Sequence, residues 1–416
     1  MPRSRRDFLA TLGALSAASL AVPPRVRGEA HAKPFAEAGA SPRGLAPSLD
    51  DFLLAPGLVY LQTGSLGPTP RPVIDATISA WRVLESNPAE QGYGPMERAM
   101  EGVRAKAATF MGCKLDELVL TNSTTEGMNW VTQGVGFAAG DRVLTTDQEH
   151  PGGRVCWDYV VRKLGVALDV VAIPPDENDP QAIVDRFARA VTPRTRVLSF
   201  SHVLSSTGLR MPVAELSALA RSRGCIAVVD GAQAAGGIAV DVKALGCHVY
   251  ATSGHKWMLA PKGTGLLYLS EELGATIDPV ALQSGRTAYS ASSGVCSVPS
   301  VLGLGAAIDY LSTIGIDRIE AHNLGLRQRL FEGLAGIPKL RVVSAGAGAL
   351  ASPLLSYELP PGLTSTALRQ RLRERHAIEV KVVPGNWFNG HRISTHLFNT
   401  REEVEALIGA LAAELV

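Results

Sequence analysis

Two residues in the stretch Cys225–Leu269 have the types and setting for chemistry on an amine. Asp230 closes the strand-like run Cys225–Asp230, and Lys256 follows a second such run between His255 and Trp257. A carboxylate at the carboxyl end of a buried strand can face a ligand in the sheet crevice. A lysine flanked by apolar and aromatic residues can lose its proton and act as a nucleophile. Together they are the pair that pyridoxal 5′-phosphate (PLP) requires: an acid for the pyridinium nitrogen and an amine for the Schiff base.

Further candidates lie at other strand ends. Thr121-Asn122-Ser123-Thr124-Thr125-Glu126-Gly127 joins a strand to a helix, so its hydroxyls and free N–H groups can cap the helix or cradle a phosphate. The stretch lacks the lysine of a nucleoside-triphosphate loop. His150, in Glu149-His150-Pro151-Gly152-Gly153, can lie over a planar ring or serve as an ordinary loop residue. Ser201-His202-Val203-Leu204-Ser205-Ser206-Thr207-Gly208 places hydroxyls where they can reach a phenolic oxygen. Gln233 follows Asp230 by one turn, and Ser253-Gly254-His255-Lys256 gathers a hydroxyl, an imidazole and an amine on one loop.

The elements that must position these residues alternate. Short apolar or β-branched runs at Glu117–Thr121, Arg142–Asp147, Ala167–Ile173, Arg196–His202, Cys225–Asp230, His248–Ser253 and Gly265–Leu269 are separated by helix-length segments such as Pro180–Ala190 and Val213–Arg223. Repeated βα units imply a mostly parallel sheet covered on both faces. Beyond residue 300 the pattern changes. A long helix is expected from Val301 to Thr313, continuing through Ile319–Leu334. Runs at Leu340–Val343, Leu354–Glu358, Ile378–Val382 and Arg392–Thr395 follow, with a last helix over Arg401–Leu415. The expected organisation is a large α/β domain over 50–300 and a smaller α+β domain over 301–416.

Composition narrows the function classes. The chain has 416 residues, 46% apolar and 19% charged, with a formal net charge of +1, so electrostatics give no case for nucleic acid. Cys113, Cys156, Cys225, Cys247 and Cys296 are scattered and form no CxxC, which argues for neither a disulfide framework nor a metal site. No GxGxxG follows the first strand, so a nicotinamide dehydrogenase is not expected. Arg5-Arg6 precedes an apolar run from Phe8 to Val22, about 15 residues against the ~20 that span a bilayer. This resembles a twin-arginine (Tat) export signal, expected over 1–32 with cleavage near Ala32, followed by a linker over 33–49. The Tat export machinery would then be a partner, and the mature protein periplasmic or secreted.

Taken in order, the TNSTTEG, EHPGG, SHVLSSTG, DGAQ and SGHKW segments, with His391-Arg392-Ile393-Ser394 near the C-terminus, resemble the class V aminotransferase-fold (fold type I) PLP enzymes over about residues 50–412. That group includes cysteine desulfurases, cystine lyases and isopenicillin N epimerase. The resemblance implies a fold type I PLP-dependent transferase architecture. It implies Lys256 as the Schiff-base lysine and mover of the α-proton, Asp230 at the pyridinium nitrogen, and His150 stacked on the ring. Gln233 and Ser205 would contact the phenolic oxygen. Ser123, Thr124, Ser253 and His255 would hold the phosphate, and Arg392 the substrate carboxylate. A homodimer is implied as well.

Two departures bear on the reaction. The stretch Val383-Pro384-Gly385-Asn386-Trp387-Phe388-Asn389-Gly390 lacks the nucleophilic cysteine of a desulfurase. Val295 stands where many relatives use threonine to reach the neighbouring subunit's phosphate; Ser293 is a substitute. The LQTGSLGPTP loop is closest to the epimerase-like branch. The expected reaction runs through an external aldimine and Cα deprotonation of an amino acid or other amine, of aminotransferase or epimerase type. A C–S lyase, or a PLP-fold binding protein without turnover, is the alternative.

Overall fold

The computed structural model describes Leu45 and residues 49–415. The expected export signal, and all of the expected linker except Leu45 and Leu49, lie outside the described residues. After a two-residue strand β1 (Val59–Tyr60) and the helices Arg71–Ser86 and Pro95–Met111, the chain builds seven strands. These are β2 (Leu118–Thr121), β3 (Arg142–Thr146), β4 (Ala167–Val171), β5 (Thr195–Ser201), β6 (Ile226–Asp230), β7 (Val249–Ser253) and β8 (Gly265–Leu269). They form one sheet in the order β2-β8-β7-β6-β5-β3-β4.

β3 through β7 pair in parallel, while β8 is antiparallel to both β7 and β2. Only β8 therefore runs against the rest, and the carboxyl ends of the other six strands share one edge. Side chains alternate across a strand, so two cores form. Leu144, Leu198, Phe200, Val229 and Tyr250 pack on one face; Val143, Val197, Val228, Val249 and Ala251 pack on the other, with Trp157. Strands buried on both faces read as continuous apolar runs, which is how β8 and the first four residues of β6 are written.

The helices Val298–Ile314 and Ile316–Ala335 correct the expectation of one continuous helix. They meet at 76°, and the hinge is Gly315 at φ 92°, a conformation a residue with a Cβ rarely adopts. No single described helix is long and apolar enough to cross a membrane. Beyond it lie β9 (Arg341–Val342), β10 (Leu354–Glu358), β11 (Ile378–Glu379), β12 (Lys381–Val382) and β13 (Gly390–Ser394). β12-β13-β10-β9 form an antiparallel sheet, and β11 pairs instead with β1. The expected strand Ile378–Val382 is thus divided between two sheets at Val380. Ser394 N–H donates to the Leu61 carbonyl at 2.9 Å, which ties the loop after β1 to the end of β13.

Gly231, directly after β6, has no room for a side chain. A Cβ there would sit 2.0 Å from the Tyr250 ring. That ring is fully buried, and its hydroxyl lies 2.9 Å from His202 Nδ1. Gly231→Ala is expected to destabilise the fold by roughly 1–3 kcal/mol through overpacking. A lowered midpoint in urea unfolding would register it, and an unchanged midpoint would contradict the packing described.

Candidate active site

Every candidate before residue 300 follows the carboxyl end of a strand. Thr121 of β2 leads to Ser123 and Thr124, Thr146 of β3 to His150, Ser201 of β5 to Ser205, and Ser253 of β7 to His255 and Lys256. Asp230 is the last residue of β6, with Gln233 one turn on. The common direction of these strands brings residues more than 100 positions apart to one edge.

Asp230 is 6% exposed, and its carboxylate accepts one hydrogen bond, from Ala232 N–H at 2.9 Å. Burial raises its pKa; the Ala232 N–H and the Lys256 charge oppose that rise. It makes no ion pair among the described residues. A buried carboxylate with so few donors calls for a protonated partner. Gly153 approaches it closely: a Cβ there would fall 2.4 Å from Asp230 Oδ2. The Gly152-Gly153 pair therefore lets the helix Pro151–Leu164 begin against the acid.

Lys256 is half-buried, and burial lowers its ammonium to about 8, with the Arg392 charge adding to the effect and Asp230 working against it. His150 caps the helix Pro151–Leu164 through Nδ1, which accepts from Gly152 N–H at 3.0 Å. An accepting Nδ1 leaves the ring neutral with its proton on Nε2. Partial burial, then the charges of Lys256, Arg392 and Lys381, push its pKa down to about 4, consistent with that state.

Ser123 caps the helix Thr124–Gly134, its hydroxyl accepting from Glu126 N–H. Thr124 N–H donates to Ser253 Oγ at 2.9 Å, and the two hydroxyls lie 2.8 Å apart. The ends of β2 and β7 are thereby joined into one hydroxyl-lined helix start, a setting that favours an anion. Nearby in sequence, His255 Nδ1 is buried without a hydrogen-bond partner.

The structure gives Gln233 and Ser205 more specific partners than the sequence suggests. Gln233 donates to the Gly64 carbonyl at 2.8 Å and accepts from Trp257 Nε1 at 2.9 Å, leaving one amide N–H. The Ser205 hydroxyl and carbonyl both accept from Arg392 Nη1, at 2.9 and 2.8 Å. Arg392 is 4% exposed, its Nη2 lies 3.3 Å from Ser65 Oγ, and its Nε has no partner. Burial lowers its pKa to about 10. No carboxylate pairs with it among the described residues, so this buried guanidinium is free to take an anion in its planar fork.

A cavity of about 290 Å³ joins these groups. Lys256, His150, Gln233, Ser205 and Arg392 line it, together with Gly64, Ser65, Pro151, Lys381, Val383, Pro384 and Trp387. Lys381 was not singled out by the sequence, for it carries no motif of its own, and Ser65 was given no role although it lies inside the LQTGSLGPTP loop. Glu149 is a third omission, although it lies inside EHPGG. Its carboxylate accepts from Ser201 N–H and Oγ, at 3.2 and 2.6 Å, and from Thr146 Oγ1 at 2.6 Å. Burial lifts its pKa to about 7 despite those donors. It fastens the His150 turn to the end of β5.

These groups fit PLP on structural grounds: a buried acid without a cation, a depressed amine, an orphaned imidazole nitrogen and a hydroxyl-rich helix start. Among the described residues no group of three or more His, Cys, Asp or Glu could hold a metal ion.

A model of the family described as aminotransferase class-V matches residues 59–407. Isopenicillin N epimerase of Amycolatopsis lactamdurans is 33% identical over 388 residues, covering 88% of this chain and 97% of its own. Cysteine desulfurase of Salmonella newport (strain SL254) is 31% identical over 391 residues, covering 85% of this chain and 92% of its own. Among solved structures, a C-DES mutant with glycine covalently linked to its PLP cofactor superposes with a TM-score of 0.81 at 23% identity. It covers 88% of this chain and 99% of its own, and shows shared fold.

The lowered ammonium has a measurable signature. The neutral amine is the nucleophile, so acylation of Lys256 rises as pH rises through its pKa. Competitive acetic anhydride labelling of the cofactor-free chain, read by peptide mass, is expected to give a midpoint near 8, against the ordinary 10.5. A midpoint above about 10, the ordinary lysine range, would overturn the environment described.

Proposed function

The chain belongs to the aminotransferase class-V family, and from that premise we propose that it removes the Cα proton of an amino-acid substrate with Lys256 as the base. Pyridoxal 5′-phosphate is its cofactor. When bound, it supplies an electron sink that lowers the barrier to deprotonation beside the amino group.

The assignment of roles follows the chemistry of each side chain. Asp230 would hold the pyridine nitrogen and keep a proton there. Neutral His150 would cover the ring face, and the remaining Gln233 N–H would reach the phenolic oxygen. Ser123, Thr124, Ser253 and His255 would hold the phosphate. Arg392 would grip the substrate carboxylate and so present the Cα–H to Lys256. An amine with its pKa near 8 can take up and return a proton close to neutral pH, which is what a general base requires.

The observation that carries this reading is the content of one cavity: a depressed lysine and a carboxylate-free arginine, with no cysteine among the lining residues. A persulfide route needs an accessible thiolate. Burial instead pushes the Cys113 and Cys247 thiols up to about 12 and the Cys156 thiol to about 11, and raises Cys225 and Cys296 as well. The reading therefore favours transamination or epimerisation over desulfuration.

Two measurements test it. Lys256→Ala is expected to lower turnover by at least about a hundredfold while the fold is retained, in line with loss of a general base. A Lys256→Ala protein with wild-type turnover would refute the role. Incubating the PLP-loaded protein with a panel of amino acids should yield a keto acid or the inverted isomer. Sulfide from cysteine or persulfide from cystine, with pyruvate and ammonia or with alanine as the carbon product, would replace this reading by a C–S bond-cleaving one.

A further inference from the structure

Lys381 on β12 is the direct cross-strand partner of Arg392 on β13. Directly opposed residues project from the same face of a sheet, their Cβ atoms about 5 Å apart, and like charges so placed repel. Both line the cavity that contains Lys256. Among the described residues no acidic side chain is placed to offset this repulsion. No Asp or Glu lines the cavity, and Lys381 makes no ion pair or hydrogen bond among the described residues. The acid nearest in sequence, Glu379, is occupied by Arg369 and Gln62, with Arg373 at 3.8 Å. Partial burial, and the charges of Arg392 and Arg369, make the Lys381 ammonium harder to keep.

A phosphate held by Ser123, Thr124 and Ser253 would not be the missing anion. The hydroxyl-lined helix start at Ser123, Thr124 and Ser253 does not line this cavity. A cofactor whose phosphate was held at that helix start would leave two cations, Arg392 and Lys381, lining the same space. Val383, Pro384 and the half-buried Trp387 line the same cavity, an apolar wall suited to a short carbon chain.

We propose that Lys381 sets specificity by holding a second anionic group, so that the substrate is an amino acid with a carboxylate or other oxyanion on its side chain. Arg392 takes one anion, Lys381 takes the other, and the connecting methylenes lie against Trp387 and Pro384. The inference rests on the functional reading above and narrows its substrate class.

Dead-end ligands without an amino group test it directly. Titration calorimetry of the PLP-loaded protein compares glutarate and phosphonobutyrate with valerate, which keeps one carboxylate and the carbon chain. At least one dianion should bind about tenfold more tightly than valerate, as expected for one additional charge-assisted contact. Which dianion is preferred identifies the second group as carboxylate or phosphonate. In Lys381→Met the dianion-to-valerate ratio should fall to about one, and Lys381→Arg should restore it. Circular dichroism and thermal melting confirm that each variant is folded. Equal affinities in the wild type, or a ratio that survives Lys381→Met in folded protein, overturn the proposal. A PLP-loaded enzyme that turns over neutral amino acids without dianion preference would leave the general function standing and remove only this refinement.

Discussion

A carboxylate, an ammonium and a guanidinium are drawn out of water close enough that Lys256 feels both other charges, and none of the three makes an ion pair among the described residues. Charges in such a position are costly unless something pairs with them. The rest of the structure can be understood as the scaffold that holds that imbalance in place. Asp230 needs a cation, Arg392 needs an anion, and Lys256 feels the charge of both and has a weakened hold on its proton. A ligand with a protonated ring nitrogen and a substrate with a carboxylate would complete the set.

The scaffold achieves this with direction and with glycine. Six of seven strands deliver their carboxyl ends to one edge, so short loops there carry all the candidates from the first 260 residues. Close approach does the rest. Gly153 lets a helix start abut Asp230, and Gly67 brings the entry loop against the Lys256 backbone, where a Cβ would fall 2.0 Å from the Lys256 carbonyl oxygen. Gln233 and Trp257 then clasp each other and the Gly64 carbonyl, binding three segments around the lysine.

Much of this was legible in the residue order. The buried strands announce themselves as β-branched runs, and chemistry-bearing residues at their ends stay at the ends when the strands pair. What escaped depends on contacts distant in sequence. Ser205 and Arg392 are 187 positions apart, and no local pattern could show that the serine supports the arginine. Lys381 carries no signal of its own; its meaning comes from the register that sets it opposite Arg392. The break at Gly315 was hidden for a different reason, since apolar spacing continues on both sides and only the backbone angle reveals the turn.

The grip on Arg392 draws on three remote parts of the chain: Ser65 near the beginning, Ser205 in the middle and β13 close to the end. The hydroxyl-lined helix start, by contrast, is complete once β8, which lies between β2 and β7 and ends at Leu269, has been added. During synthesis the two subsites therefore mature at different times. The last strand closes the pocket around Arg392 with a loop made more than 300 residues earlier, so a substrate that Arg392 bound, as proposed, would report that the whole chain has folded.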